Sequence, residues 1–305
     1  MQQTTLKPDN IATIEDFLTW AAGYFNENNI YFGHGTDNAW DEAVMLVLYV
    51  LKLPAENDRS LLVQKLTAKQ KQQLVALALQ RVAEQIPVPY LTHEAWFAGE
   101  RYIVNREVLI PRSPLGETIG NHFQPWLGNT EPQRILDLCT GSGCLAIYCA
   151  KMFERCQVDA VDISPAVLKV AKQNVELHQC ADRVHPIESD LFSAVAGRRY
   201  DIIISNPPYV SAEEMAALPA EYRHEPVLAL ASGEDGLDLT RKIINQAKHY
   251  LTDTGLLIVE VGDSWLTLEE KYPHIPFTWL DFSYGGEGVF LLTVADLKAL
   301  QQELK

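Results

Sequence analysis

The sequence predicts an α/β protein: a mostly parallel sheet with helices on both faces, preceded by a small helical domain. Three observations predict it. From residue 134 onward, short β-rich apolar runs alternate with helical stretches, the pattern of a sheet built from crossover units. Residues 135–147, ILDLCTGSGCLAI, run an apolar strand into a glycine loop and then into a helix. The first 85 residues read as helical.

In chain order, Thr13-Ile14-Glu15-Asp16 has the form of a capping box ahead of Phe17, Trp20, Ala21 and Tyr24. Asp37 is placed to cap a second helix, with Trp40, Val44, Val47, Leu48 and Leu51 at helical spacing. Met45, Leu46, Tyr49 and Val50 make that helix apolar on its other faces, as expected of a buried or docked helix. Pro54 ends it. Thr67 with Gln70 opens a third helix through Leu74, Leu77 and Arg81, which stops before Ile86-Pro87. Residues 86–92 (IPVPYLT) read as extended, and EAWFAGERYIVN alternates about Gly99 as a small hairpin. These readings divide the chain into a helical N-terminal domain over 1–85, a linker with a β-hairpin over 86–116, and the main domain over 117–305.

Seven strands are expected in the main domain: RILDLC, QVDAVDI, RVHPIES, YDIIISN, GLLIVEVG, FTWLDFS and VFLLTV. Ser164 caps the helix after the second strand, and Pro165 takes its first position. Only SYGGEG separates the last two strands, too short for a helix, so the final strand is expected to be antiparallel.

Composition narrows the function. The chain of 305 residues carries 40 acids and 25 bases, a net charge of −15. Residues 91–305 hold −12 of it. Such a surface repels phosphate backbones and attracts basic proteins. No apolar run approaches the roughly 20 residues of a membrane span, and MQQTTLKPDN lacks the regions of a signal peptide. The five cysteines form no C-x-x-C pair, so neither a disulfide framework nor a metal site is expected. A cytoplasmic protein is the expectation.

Three acids fall at three successive strand ends: Asp137 just before the glycine loop, Asp162 after the second strand, and Asp190 after the third. Open α/β sheets bind ligands in that crevice. Gly141 and Gly143 let a ligand approach the backbone closely. A dinucleotide motif fails here, since Ala146 stands where its third glycine would be. Asp137 suits an amine, Asp162 can accept from ribose hydroxyls, and Asp190 can face an adenine amino group with Leu191 and Phe192 against the ring, unless Phe192 is simply core. These residues resemble the class I S-adenosylmethionine-dependent methyltransferases. The resemblance implies a seven-stranded sheet in the order 3-2-1-4-5-7-6, with residues 117–305 as the methyltransferase domain. It further implies S-adenosyl-L-methionine bound by Asp137, Cys139, Thr140, Gly141, Ser142 and Gly143, by Asp162 and Ile163 at the ribose, by Asp190 and Leu191 at the adenine, and beside Asn206.

The fourth expected strand ends in Asn206-Pro207-Pro208-Tyr209. Prolines cannot continue a central strand, so the quartet lies in a loop at the strand's end. The Asn206 side-chain carbonyl and the Pro207 backbone carbonyl can together hold both hydrogens of a planar NH2 group, with Tyr209 stacked on it. Asn206, Pro207 and Tyr209 are thus the candidate catalytic residues, and with Pro208 the candidate substrate site. Adenine, guanine and a glutamine amide all present such a group.

The flanks VLIPRSPLGE (108–117) and EPVLALASGEDGL (225–237), with the helical N-terminal part and hairpin, resemble the HemK-like protein-(glutamine-N5) methyltransferases. One branch of that family modifies peptide-chain release factors, usually with PRPDTE where this chain has PRSPLGE, and with an Asn-x-Arg pattern where it has GGEGVF (285–290). The chain resembles more closely the branch that methylates a glutamine of large-subunit ribosomal protein L-three, above all in YFGHGTDNAWDEA (31–43). That resemblance implies a basic ribosomal protein as partner and a link to ribosome assembly. His34 and Trp40 in this stretch are read as supporting the turn and core. The alternatives are release-factor methylation, an exocyclic-amino methyltransferase of nucleic acid, which the lack of a basic stripe disfavours, and a non-enzymatic assembly scaffold.

Overall fold

The computed structural model describes residues 8–54, 59–128, 130–283, 285–300 and 304. The chain forms two compact units: Met1–Arg106 with Pro219–His224, and Glu107–Leu218 with Glu225–Lys305. The hairpin, expected within a linker, falls in the first unit.

In that unit α1 spans Ile14–Glu27 behind the expected capping box: Thr13 Oγ1 accepts from Asp16 N at 3.2 Å, and Asp16 Oδ2 accepts from Thr13 N at 2.9 Å. α2 spans Ala39–Leu51, and its cap is Asn38 rather than Asp37. Asn38 Oδ1 accepts from Asp41 N at 2.9 Å, whereas Asp37 accepts from the Asn38 amide. α3 spans Ala68–Glu84 behind the Thr67/Gln70 box. The stretch expected to be extended contains a fourth helix, α4, over Val88–Thr92. Pro87 at its cap and Pro89 in its first turn need no N–H there, so the prolines start this turn instead of preventing it. β1 (Glu94–Phe97) and β2 (Glu100–Ile103) form the expected hairpin.

The buried face of α2 differs from the expected one. Ala39, Glu42, Ala43, Leu46 and Val47 are buried, whereas Trp40, read as core, is 39% exposed. Arg81 explains the rotation. It is fully buried, and its Nε donates to Glu42 Oε1 at 2.8 Å. It also donates to Tyr31 O at 2.9 Å, and it faces Glu221 Oε1 at 3.5 Å. A buried guanidinium requires carboxylates around it, so the helix turns Glu42 inward. His34 is buried too, its ring against Tyr222, as expected for a residue that supports its turn.

The second unit holds α5 (Leu115–Gly120), β3 (Arg134–Leu138), α6 (Cys144–Met152), β4 (Gln157–Asp162), α7 (Pro165–Leu177), β5 (Val184–Glu188), β6 (Tyr200–Ser205), α8 (Ala212–Ala217), α9 (Asp238–Ala247), β7 (Leu251–Glu260), α10 (Trp265–Lys271), β8 (Thr278–Trp279), β9 (Val289–Thr293) and α11 (Val294–Ala299). The sheet order is β5-β4-β3-β6-β7-β9-β8, which is 3-2-1-4-5-7-6 in order of appearance. β9 runs antiparallel to both β7 and β8. The central strands are buried along nearly their whole length, which is why they read as unbroken apolar runs rather than alternations. β8 is shorter than its apolar run suggests: only Thr278 and Trp279 pair, and only on one side.

Register places the site. Leu138 lies opposite Val161 on one side and Ser205 on the other. The next residues along these strands, Cys139, Asp162 and Asn206, therefore come together at one edge, Asp162 as the last residue of β4 and the other two just beyond their strands. Among the described residues no helix is long and apolar enough to cross a membrane.

Candidate active site

A cavity of about 320 Å³ opens at that edge, within the usual range for small-molecule sites. One wall is the glycine loop. Cys139 and Gly141 adopt left-handed backbone, φ 59° and 57°, and Gly143, φ 82°, is the N-cap of α6. A Cβ at Gly141 would meet nothing within 4 Å, so this glycine serves the turn's conformation rather than close packing. The loop is held from three sides. Thr140 N donates to Val161 O at 2.9 Å, Gly141 N donates to Asp162 Oδ2 at 3.1 Å, and Asn174 Nδ2 on α7 donates to Ser142 O at 2.8 Å.

Asp137 sits behind this loop. It is fully buried, and its Oδ2 accepts from Thr140 Oγ1 at 2.5 Å and from Ala146 N at 3.2 Å. Its Oδ1 has no hydrogen-bond partner. Burial pushes the carboxyl up to about 7. The geometry gives Asp137 the work of tying loop to helix; it is not part of the cavity wall, whereas Cys139, Thr140, Gly141 and Ser142 are.

Asp162, Ile163, Asp190 and Leu191 line the same cavity. Asp162 Oδ1 also accepts from Ser164 N at 3.0 Å, so its carboxylate is fixed in direction. Burial raises its pKa, while the Ser164 and Gly141 N–H groups pull it down. Asp190 is exposed and Ile163 is 52% exposed. Phe192 takes the core place and not the ligand contact. It is fully buried and stacks on Tyr250 at 4.5 Å, in the core under the sheet edge. Leu191, with φ 46°, is the residue that turns toward the cavity.

Asn206 and Pro208 line the cavity from the end of β6. Pro207 is buried. The Tyr209 phenol donates to Glu260 Oε1 at 3.0 Å, and its ring lies against Gly262, where a Cβ would come within 2.5 Å of it. After Tyr209 the chain bridges to the next loop: Val210 N donates to Leu230 O at 2.8 Å, and Ser232 N donates to Val210 O at 3.0 Å.

The remaining wall has only weak signals in the sequence. Glu107, Leu109, Pro111, Arg112 and Ser113 line it from one segment, and Pro226, Leu228 and Ala229 from another. Arg112 joins the two. Its guanidinium donates to both carboxylate oxygens of Glu225, at 2.6 and 2.7 Å, the bidentate geometry that fixes direction as well as distance. Glu225 also accepts from Ile110 N at 3.1 Å. Both residues lie in the stretches that carry the family resemblance, but a pair so far apart in sequence has no spacing signature.

Burial pushes all five cysteine thiols above their ordinary value, so none is a ready thiolate. Among the described residues, no group of three or more histidines, cysteines and acids is placed to hold a metal ion.

Comparison with known proteins agrees with this picture. The family description "Methyltransferase small domain" matches residues 121–221. A ribosomal protein uL3 glutamine methyltransferase of Francisella tularensis subsp. tularensis (strain SCHU S4) is 44% identical over 97% of this chain and 95% of its own length. The protein of the same name from Neisseria gonorrhoeae (strain FA 1090) is 47% identical over 93% of this chain and 95% of its own. Among solved structures, the hMettl16 catalytic domain in complex with MAT2A 3'UTR hairpin 6 aligns with a TM-score of 0.52 at 17% identity, covering 82% of this chain and 91% of that one. At that identity the likeness concerns the fold alone.

Proposed function

The chain belongs to the ribosomal protein uL3 glutamine methyltransferases, and from that premise we propose that it transfers the methyl group of S-adenosyl-L-methionine to the side-chain amide nitrogen of a glutamine in uL3. The products are N5-methylglutamine, S-adenosyl-L-homocysteine and one proton, which the nitrogen loses to solvent as its bond to the methyl forms and the sulfur–methyl bond breaks. One observation carries the reading: Asn206 of the NPPY quartet lines the same cavity as the glycine loop and Asp162.

The donor set suits this cofactor. Asp162 presents a carboxylate for ribose hydroxyls, Ile163 and Leu191 offer apolar surface for a flat base, Asp190 offers an acceptor for its amino group, and the turn at Gly141 leaves room at the backbone. When bound, the cofactor supplies an electrophilic methyl on a sulfonium. The protein's part is placement. The Asn206 side-chain carbonyl and the Pro207 main-chain carbonyl accept the two hydrogens of the glutamine amide. Held so, the nitrogen lone pair is drawn out of conjugation and toward the methyl. Tyr209 stacks on the amide plane and Pro208 stiffens the turn. Positioning of this kind can supply roughly 7–11 kcal/mol of the barrier, so no strong general base is needed.

Asp162 separates binding from chemistry. Asp162→Ala should weaken cofactor binding about tenfold or more, since a charged acceptor of two hydroxyls is worth about 1.5–3 kcal/mol. Turnover should recover at saturating cofactor. Calorimetric titration checks this, and an unaltered affinity would remove Asp162 from the ribose site.

The partner is a basic ribosomal protein, drawn to a chain of net charge −15, and association should slow as salt rises. The helical unit adds selectivity by contacting uL3 outside the reactive glutamine. A ribosomal protein as substrate places the reaction in the cytoplasm on this reading. To test the substrate, labelled methyl donor is offered with purified uL3, a release factor and ribosomal RNA together. Label in uL3 is expected; preferential label in the release factor or in RNA would overturn the assignment.

A further inference from the structure

Glu260 is the last residue of β7, and it is buried. Register places Val259 opposite Ser205, so Glu260 stands beside the strand end that carries Asn206. Its two oxygens serve two different segments. Oε1 accepts from the Tyr209 phenol at 3.0 Å, and Oε2 accepts from Ser113 Oγ at 2.5 Å. Ser113 lines the cavity and also accepts from Leu115 N at the start of α5. Tyr209 is held at its main chain by Ser264 Oγ, which donates to Tyr209 O at 2.9 Å. Its ring lies on the backbone of Gly262, where φ is 46°. Glu260 holds the ring's far end through the phenol.

A buried carboxyl is costly to keep, and buried charged clusters are often replaceable by well-packed apolar residues without loss of stability. Burial pushes Glu260 up to about 7, against the pull of Ser113, Tyr209 and the Arg112 charge. The reason to retain it lies in the two segments that it joins. We propose that Glu260 is a positioning residue for methyl transfer, a single carboxyl that sets both the tilt of the Tyr209 ring and the place of the Ser113 wall. This rests on the reading of Tyr209 as the residue that stacks on the glutamine amide.

The clamp needs one acceptor for Tyr209 and one polar contact for Ser113. A glutamine amide meets both, its oxygen accepting from Tyr209 and its nitrogen donating to Ser113. Glu260→Ala should therefore lower kcat on purified uL3 about 100-fold, the cost of a misplacement of about 1 Å, with cofactor affinity within about threefold of wild type. Glu260→Gln should stay within about tenfold of wild type, and its pH profile of kcat should superimpose on the wild-type profile. Tyr209→Phe removes one arm, and in the Glu260→Ala background it should cost less than about threefold more, because both changes break one linkage.

Three results would overturn the proposal: Glu260→Ala with near wild-type kcat, additive losses in the double variant, or Glu260→Gln as inactive as Glu260→Ala. The last would make the carboxylate itself the working group. If Glu260→Ala fails to bind cofactor and so to fold, Ser113→Ala and Tyr209→Phe decide the matter. Each should lower kcat with cofactor affinity retained, and unchanged kcat in both would overturn the clamp. Wild-type turnover on uL3 is the control that keeps this separate from the substrate assignment, since inactive wild type would refute that reading instead.

Discussion

Asn206→Ala should reduce kcat by about 1,000-fold or more while cofactor affinity stays within about threefold of wild type. The expectation follows from where Asn206 stands. It leaves β6 one residue beyond Ser205, which is buried and donates to Leu138 O at 2.8 Å. Its backbone position is thus fixed by the sheet, and truncating its side chain removes an acceptor without loosening the loop. With one acceptor gone, the glutamine NH2 can rotate about its remaining hydrogen bond, and its lone pair returns to conjugation. The loss falls on the transition state and not on ground-state binding. Single-turnover kinetics at saturating cofactor read the chemical step directly. A loss of only a few-fold would mean that the acceptor pair does not drive the reaction.

Arg81→Met should destabilise the helical unit by about 3–5 kcal/mol, the usual cost of leaving a buried charge without its partner. Two carboxylates would be stranded, Glu42 at 3% exposure and Glu221 at 2%. The loss should depend on pH with a definite sign. Burial already raises the pKa of Glu42, and Arg81 is the main influence pulling it back down. Without Arg81 it rises further, so the folded state holds a proton that the unfolded chain releases above about pH 4.3. Stability then falls as pH rises, and the deficit should be larger at pH 8 than at pH 5.5. Urea unfolding at the two pH values measures it. Adding Glu42→Gln to Arg81→Met should recover part of the loss at pH 8. A deficit under about 1 kcal/mol at both pH values, with no rescue, would show that the network is not a buried charge cluster.

These two residues were not equally legible. Asn206 stands out because two prolines after an apolar run forbid a strand, and the quartet then has to face the crevice. The sheet was legible for a related reason: strands buried on both faces leave continuous apolar runs, and short helical stretches between them force parallel crossovers. Helix starts were legible where a side chain caps the next turn, as at Thr13, Thr67 and Ser164. Arg81 follows Leu74 and Leu77 at helical spacing, but spacing alone does not show that a guanidinium there is buried. Its burial depends on Glu221, 140 positions away, and no local pattern encodes that. The same blindness hid the face of α2, where Trp40 points outward because Glu42 must point inward. It also hid the cavity wall fastened by Arg112 and Glu225, and the clamp at Glu260. Position at a strand end does not separate ligand contact from packing: Asp137 ties the loop to α6, and Phe192, open to either reading in the sequence, fills the core.

The most direct test of the account is tandem mass spectrometry of uL3 after reaction with wild type and with Asn206→Ala, under conditions where both bind cofactor. The wild-type protein should place one methyl group on the side-chain nitrogen of a glutamine, and the variant should place almost none. A methyl group on any other kind of residue, or equal methylation of that glutamine by both proteins, would contradict it.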